Sequence, residues 1–461
     1  MRQVLLLMAA LTGVLWGQMT PRHFALRKTA TDSAASYLVD TTSYAGLASN
    51  SIVDIRAAGD SLLFFGTSRG LSLTTDRGTT FRSYLASEVG LPVGGMSALE
   101  VVDSLIVVAG LADTTVSGSD EIMGTGLAYS LNLGHTWTFL PQPLDAAPAD
   151  SAFTTFTWID STIRLLAVTT PINNITFDVA FSLGTIWVAS WSSGLRRYDI
   201  TSEEWSIVPL PLDGDTTLSC SDIPAGYILN PRDPEFGGNH NHKAFSVVAY
   251  DSVVWVGTAA GLNKGIVDST TGCIQWTHYS AQWTNLSGDF VVALHRQVAG
   301  STTRIWAATV ETSGADRRGV SYTEDGGQTW RVTLLDERAN NITSVGEIIY
   351  IATDNGLQKS SDGANWARFR SAVDQLTDER IFADRVFGSL WDSRDSTLWI
   401  GTPDGLAKTS DDGVSWEIKR SFVSTTTQGE DRFYAYPNPF YLSQQNVLDG
   451  AGHVRFQYHV T

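Results

Sequence analysis

The sequence predicts an all-β fold built on a seven-bladed β-propeller. Three observations carry this expectation. A phrase made of a β-branched or aromatic run, a small pair, a turn and Gly-Leu returns seven times, anchored on Gly70, Gly126, Gly194, Gly261, Gly319, Gly356 and Gly405. A second, turn-forming phrase follows five of these anchors. The composition suits strands, because only 17% of the residues are charged against roughly 25% in ordinary globular chains. It is too apolar and aromatic for disorder and too short of Lys and Glu for long helices.

The first phrase reads SLLFFGTSRGL at 61–71, TIWVASWSSGL at 185–195, VVWVGTAAGL at 253–262, IIYIATDNGL at 348–357 and TLWIGTPDGL at 397–406, with looser copies at 124–130 and 305–323. Each unit resolves into four short strands. In the last they are RVFGSLWDSR, STLWIGT, GLAKTS and SWEIKRSF. Such units cannot bury their faces alone and must pack on their neighbours; radial packing of four-stranded units gives a propeller. The anchors are spaced 56, 68, 67, 58, 37 and 49 residues apart. The shortest spacing is close to a bare blade, so the longer ones carry insertions. Residues 51–423 thus hold the blades. Within the preceding segment, 18–50, residues 33–50 are expected to add an outer strand that helps close the ring.

The second phrase reads TTDRGTTF at 74–81, SLNLGHTW at 130–137, TEDGGQTW at 323–330, SSDGANW at 360–366 and TSDDGVSW at 409–416. The carboxylate or amide of Asp76, Asn132, Asp325, Asp362 or Asp411 can accept backbone N–H groups of its own turn. The glycine that follows can take positive φ at little cost. The closing Trp or Phe then enters the next strand.

The chain opens with Arg2 and an apolar run from Val4 to Trp16. Thirteen residues fall short of the roughly 20 that a spanning helix needs, and the pattern reads as a secretory signal peptide over 1–17. Nothing later looks like a membrane span. Net charge is −17, which argues against a nucleic-acid partner, since phosphate binding needs clustered cations. Cys220 and Cys273 either form a disulfide, as an exported chain allows, or are two isolated small core residues. A polar linker at 424–431 leads into 432–461, RFYAYPNPF through HVRFQYHVT.

The second phrase resembles the Asp-box of sialidases, sortilin-type receptors and some glycan-cleaving propellers. The first resembles the propeller repeat of sensory two-component regulators. In these families the Asp-box is a structural hairpin away from the active site, and that role is what the resemblance implies for Asp76, Asn132, Asp325, Asp362 and Asp411. AYPNPF followed by an alternating strand resembles the start of an immunoglobulin-like C-terminal domain related to the flagellar hook-capping fold. That domain is common at the ends of proteins exported by the type IX system of Bacteroidetes-like bacteria. It implies secretion machinery as a partner and a secreted or outer-surface location in a Gram-negative-type bacterium. Residues 432–461 supply two strands where a sandwich needs about seven, so the domain is expected to be incomplete.

In a propeller the hairpins between second and third strands share one face with the blade-to-blade connections; the Asp-box hairpins lie on the other. The insertions at 141–176, 209–243, 308–318 and 371–384 are therefore expected on the first face. They predict a ligand rim of Trp158, Arg164, Asp213, Asp215, Asp222, Tyr227, Arg232, Asp233 and Glu235, because functional loops sit on rigid scaffolds. His240 and His242 would share one side of an extended segment, but a zinc site needs three or four ligands. Asp213, Asp215 and Asp222 are oxygen ligands of the kind calcium uses, and calcium is the one cofactor they suggest. No catalytic, cofactor-binding or metal-ligating set is legible. Trp187, Trp255 and Trp399 are expected in the core between blades. The sequence points to an exported, non-enzymatic propeller that binds an extracellular glycan or protein. The alternative is a glycoside hydrolase or sialidase-like enzyme of the Asp-box group, which needs paired carboxylates.

Overall fold

The computed structural model describes residues 44–84, 90–145, 151–170, 172, 174–312, 317–421, 433–436 and 455–458. The leader expected at 1–17 and the linker expected at 424–431 lie outside the described residues. Seven antiparallel blades follow one another over 52–84, 95–140, 176–208, 244–279, 291–333, 339–368 and 388–419. In each, four consecutive strands pair in chain order. The first strands (Ile52–Ala58, Gly95–Val102, Thr176–Ser182, Ala244–Tyr250, Val291–Ala299, Ala339–Val345 and Gly388–Asp392) stand side by side in a closed ring around the axis. The fold is the all-β propeller that the repeats predict.

The repeated phrase has a physical cause at each position. The second strand of every blade is buried on both faces, as in Leu62–Thr67 and Thr397–Thr402, so it reads as a continuous apolar run and not an alternating one. The small residue that follows gives room for the next blade: a Cβ on Gly401 would come within 2.7 Å of the Ile52 carbonyl oxygen. The threonine after it closes the turn. Thr67, Thr258, Thr353 and Thr402 donate to the carbonyls of Gly70, Gly261, Gly356 and Gly405 at 2.8–3.0 Å. The same hydroxyls accept the N–H two residues on, each at 3.1 Å. All seven anchor glycines have positive φ, from 62° to 159°, a region that L side chains rarely adopt.

Among the described residues no strand is exchanged to lock the ring; its seam is held by side-chain packing and hydrogen bonds. Ile52, Ile55, Leu63 and Phe65 of blade 1 pack with Trp399 and Leu406 of blade 7. Arg394 donates to the carbonyls of Gly59 (3.1 Å) and Leu62 (3.2 Å), and the Ser421 N–H donates to Asn50 Oδ1 at 2.6 Å. Tyr44–Ala45 adds a fifth, outermost strand to blade 1 through Arg82 and Ser83, at the end of the segment expected to supply it. Beyond the blades, Phe433–Tyr436 pairs antiparallel with Arg455–Tyr458. Among the described residues no helix is long and apolar enough to cross a membrane.

Candidate functional site

The five turns of the second phrase all join third and fourth strands, on the face opposite the blade-to-blade connections. Their hydrogen bonding is nearly identical. Asp76 accepts from Thr74 Oγ1 (2.8 Å), the Thr80 N–H (2.8 Å) and Thr80 Oγ1 (2.6 Å). Asp325 accepts from Thr323, Thr329 N–H and Thr329 Oγ1, and Asp411 from Thr409, Ser415 N–H and Ser415 Oγ. Asp362 accepts from Ser360 and from the N–H groups of Ala364 and Asn365. Asn132 takes the same place with its amide oxygen on the Thr136 N–H at 2.9 Å. These donors favour the charged form, so the Asp76 carboxyl is held down to about 2, first by the Thr80 hydroxyl. With their oxygens occupied, the aspartates hold turns.

Each turn also joins two blades. A Cβ on Gly78 would meet Trp399 of the preceding blade at 2.6 Å, and one on Gly363 would meet Trp306 at 2.9 Å. In two of the turns a third-strand lysine of the preceding blade caps a carbonyl. Lys264 donates to Gly326 O and Lys408 to Arg77 O, each at 2.8 Å. Both ammonium groups also sit 5.3 Å from the ring centroid of their own blade's tryptophan, Trp255 or Trp399, within cation–π range. Trp187, Trp255 and Trp399 are buried between blades.

The predicted rim is rearranged. Two of the four insertions, 141–176 and 209–243, leave the connection face and fold down the outer wall. Residues 153–158 and 161–166 form a hairpin whose turn, at Ile159, reaches Gly272 in the third-to-fourth-strand turn of blade 4. Thr217–Leu218 pairs with the outermost strand of blade 4, opposite Thr277 and Trp276. Cys220 is disulfide-bonded to Cys273 at the start of that strand, with Cα atoms 5.8 Å apart. The chain then returns through Ile228–Leu229, parallel to Arg164 and Leu165. The two insertions thus share one small sheet, with its core against blades 3 and 4.

This packing redistributes the rim residues. Trp158 and Tyr227 are core, 3% and 7% exposed, and the Tyr227 hydroxyl donates to Leu210 O at 2.7 Å. Asp213 spends both oxygens on the N–H groups of His240 (2.9 Å) and Asn241 (2.7 Å). Asp233 caps the short turn Pro234–Phe236 and lies 3.5 Å from His240. Asp215 is half-buried, and its carbonyl faces His278 Nδ1 at 2.8 Å. Arg164, Asp222, Arg232 and Glu235 are exposed, with Arg164 over the Phe153 ring. His240–His242 is a 3-10 turn and not an extended segment. It sends His242 inward, where its Nδ1 accepts the Asn230 N–H and burial lowers its pKa to about 4. Among the described residues no three His, Cys, Asp or Glu side chains are grouped to hold a metal ion.

A cluster absent from the sequence expectations lines the axis. Six first strands carry a bulge at the same level, and Asp54, Asp178 and Asn341 each follow one. A first strand is an edge, so its inward N–H groups lack a ladder partner. Asp54, Asp178 and Asn341 supply one by accepting the next residue's N–H at 2.7–2.9 Å. Asp178 also accepts the Val247 N–H of blade 4 (2.9 Å), and Asn341 reaches Asp54 across blade 7, where the equivalent residue is Gly388. Arg56 donates to Asp54 and lies 3.6 Å from Glu100. Two carboxylates thus face one guanidinium, and the charge of Asp178 also bears on it. Burial, with Glu100 nearby, pushes Asp178 up to about 8, and burial with Arg56 lowers His295 to about 3.

The second and third strands of blade 2, Leu105–Val116 and Ser119–Ser130, run well past their neighbours. The first strand stops pairing at Leu111 and the fourth at Leu127. Residues 112–123 therefore form a hairpin arm rising from the connection face. Its turn, Ser117-Gly118, has φ of 52° and 85°, the two positive values of a type I′ hairpin. A register shift beside Leu111 leaves Thr125 unpaired, and its hydroxyl holds Val93 O at 2.7 Å.

No protein-family model matches the sequence, and no curated protein matches it. Several solved structures resemble the fold. The extracellular domain of a hybrid two component system from B. thetaiotaomicron aligns at 15% identity and TM-score 0.49, covering 85% of this chain and 41% of that one. The extracellular domain of a one component system from the same organism aligns at 12% and 0.47, covering 86% and 40%. An ancestral GH74 enzyme aligns at 14% and 0.46, covering 83% and 48%. The chain spans about two fifths of the length of the first two, and at these identities the likeness is one of fold.

Proposed function

We propose that this protein is exported and works outside the cytoplasm as a non-enzymatic binding propeller for a protein or glycan. The observation that carries the reading is the hairpin arm of blade 2, an elaboration of the connection face that stands clear of the blades. The disulfide between Cys220 and Cys273 supports the compartment, since such bonds persist in oxidising surroundings. The paired strands Phe433–Tyr436 and Arg455–Tyr458 support delivery to the cell surface through a C-terminal sorting-type domain. The test is a glycan and protein array probed with the purified chain, with and without calcium, and read also for cleavage products. Binding without cleavage supports the proposal, and silence on every array overturns it.

A second reading, glycan hydrolysis, is favoured by one observation. Burial raises both Glu100 and Asp178, the latter to about 8, and a carboxyl that keeps its proton near neutrality is what a general acid needs. Cleavage products that vanish in both Asp178→Asn and Glu100→Gln would replace the first reading with this one.

A further inference from the structure

We infer that the arm of blade 2 is a docking edge for an extended, cationic polypeptide segment of another protein, which adds to it as a third strand. The inference rests on the binding-module reading and names its partner class. Residues 112–116 and 119–123 pair with each other over five rungs, from Ala112 with Met123 to Val116 with Ser119. Among the described residues no further strand pairs with either of them. Five residues of strand run about 17 Å at 3.4 Å each, long enough to template another strand. Edges of this kind are usually blunted by Lys, Pro or a covering loop. This one carries no Lys, Arg or Pro between 112 and 123.

Charge selects the occupant. The arm carries Asp113, Asp120 and Glu121 and no cation, on a chain of net charge −17. A second copy would bring like charge to like charge, whereas a basic strand would be attracted and correctly placed. The edge at 119–123 also specifies a pattern. Asp120 and Ile122 point to one side of the hairpin, Glu121 and Met123 to the other, because strand side chains alternate. An added antiparallel strand therefore meets Met123 and Ile122 first, then Glu121 and Asp120. Its best sequence is two adjacent apolar residues followed by two adjacent basic ones. Val93, Leu144 and Ile172, 44%, 51% and 38% exposed, lie on the same face, near the foot of the arm.

The test uses two labelled peptides, acetyl-Thr-Val-Ile-Lys-Arg-Thr-amide and the same peptide with Glu-Asp in place of Lys-Arg. Binding to the full chain is read by fluorescence anisotropy at two salt concentrations. The basic peptide should bind at least tenfold more tightly and weaken as salt rises. The double variant Asp120→Lys, Glu121→Lys should reverse the preference. Excising 112–123 and joining Leu111 to Gly124 through Asn-Gly should abolish binding with an unchanged Tm. Equal binding of both peptides, no binding of either, or full binding by the excised chain would overturn the proposal. If the excised chain still binds array ligands while the peptides fail, the binding-module reading survives alone. If nothing binds, both fall.

Discussion

At the residue scale, small groups decide whether neighbouring blades can meet. Gly78 combines a φ of 80° with Trp399 at 2.6 Å from any added Cβ. Gly78→Ala is thus both strained and overpacked, and should cost about 2–4 kcal/mol. Denaturant unfolding checks it, and a midpoint equal to wild type would break the joint account. Acidity gives a second prediction. Asp178 has a folded pKa raised to about 8. The stability tied to its proton is complete below pH 3.8 and is lost as pH climbs through 8. Asp76 is depressed to about 2, so its contribution is complete above pH 3.8 and is lost as pH falls through 2. Between pH 6 and 9 the Tm should therefore fall with rising pH, and Asp178→Asn should flatten that slope. An identical slope in both proteins would remove Asp178 as its source. The turn aspartates of the second phrase were legible in the sequence because their partners lie within four residues. Asp54, Arg56, Glu100 and Asp178 were not: they are one or two charges in otherwise apolar strands of three blades, and only ring closure brings those strands together.

At the element scale, the outer wall of blades 3 and 4 depends on the disulfide and the shared sheet. Replacing Cys220 and Cys273 by Ser should make 209–230 the first site of limited proteolysis, while the blades keep their protection. Early cleavage within a blade would show that the bridge stabilises the ring itself. The insertions were legible as insertions, from the anchor spacings. Their course down the wall was not, because it follows from tertiary contacts such as Ile228 beside Arg164. The arm is not legible in the sequence for a related reason. Its residues continue the second and third strands without a break, so they lengthened a spacing without signalling a new element. Trp158 and Tyr227 look like rim aromatics in the sequence, yet the small sheet needs them as its core.

At the scale of the whole molecule, the seven blades form one closed circuit, in which each joint uses parts of two neighbours. Arg394→Ala removes the guanidinium that ties blade 7 to the Gly59 and Leu62 carbonyls. Hydrogen exchange should then quicken in Ile52–Ala58 and Gly388–Asp392 before any other first strands. Uniform quickening around the ring would mean that the seam is no weaker than the other joints. The seam has a further consequence. Every blade is built from consecutive strands, and the lysine, tryptophan and turn that join blade 7 to blade 1 recur between blades 4 and 5. Topologically the circle has no privileged opening. A circular permutant cut within 280–290, with residue 421 linked to residue 46, would retain all seven contacts between blades.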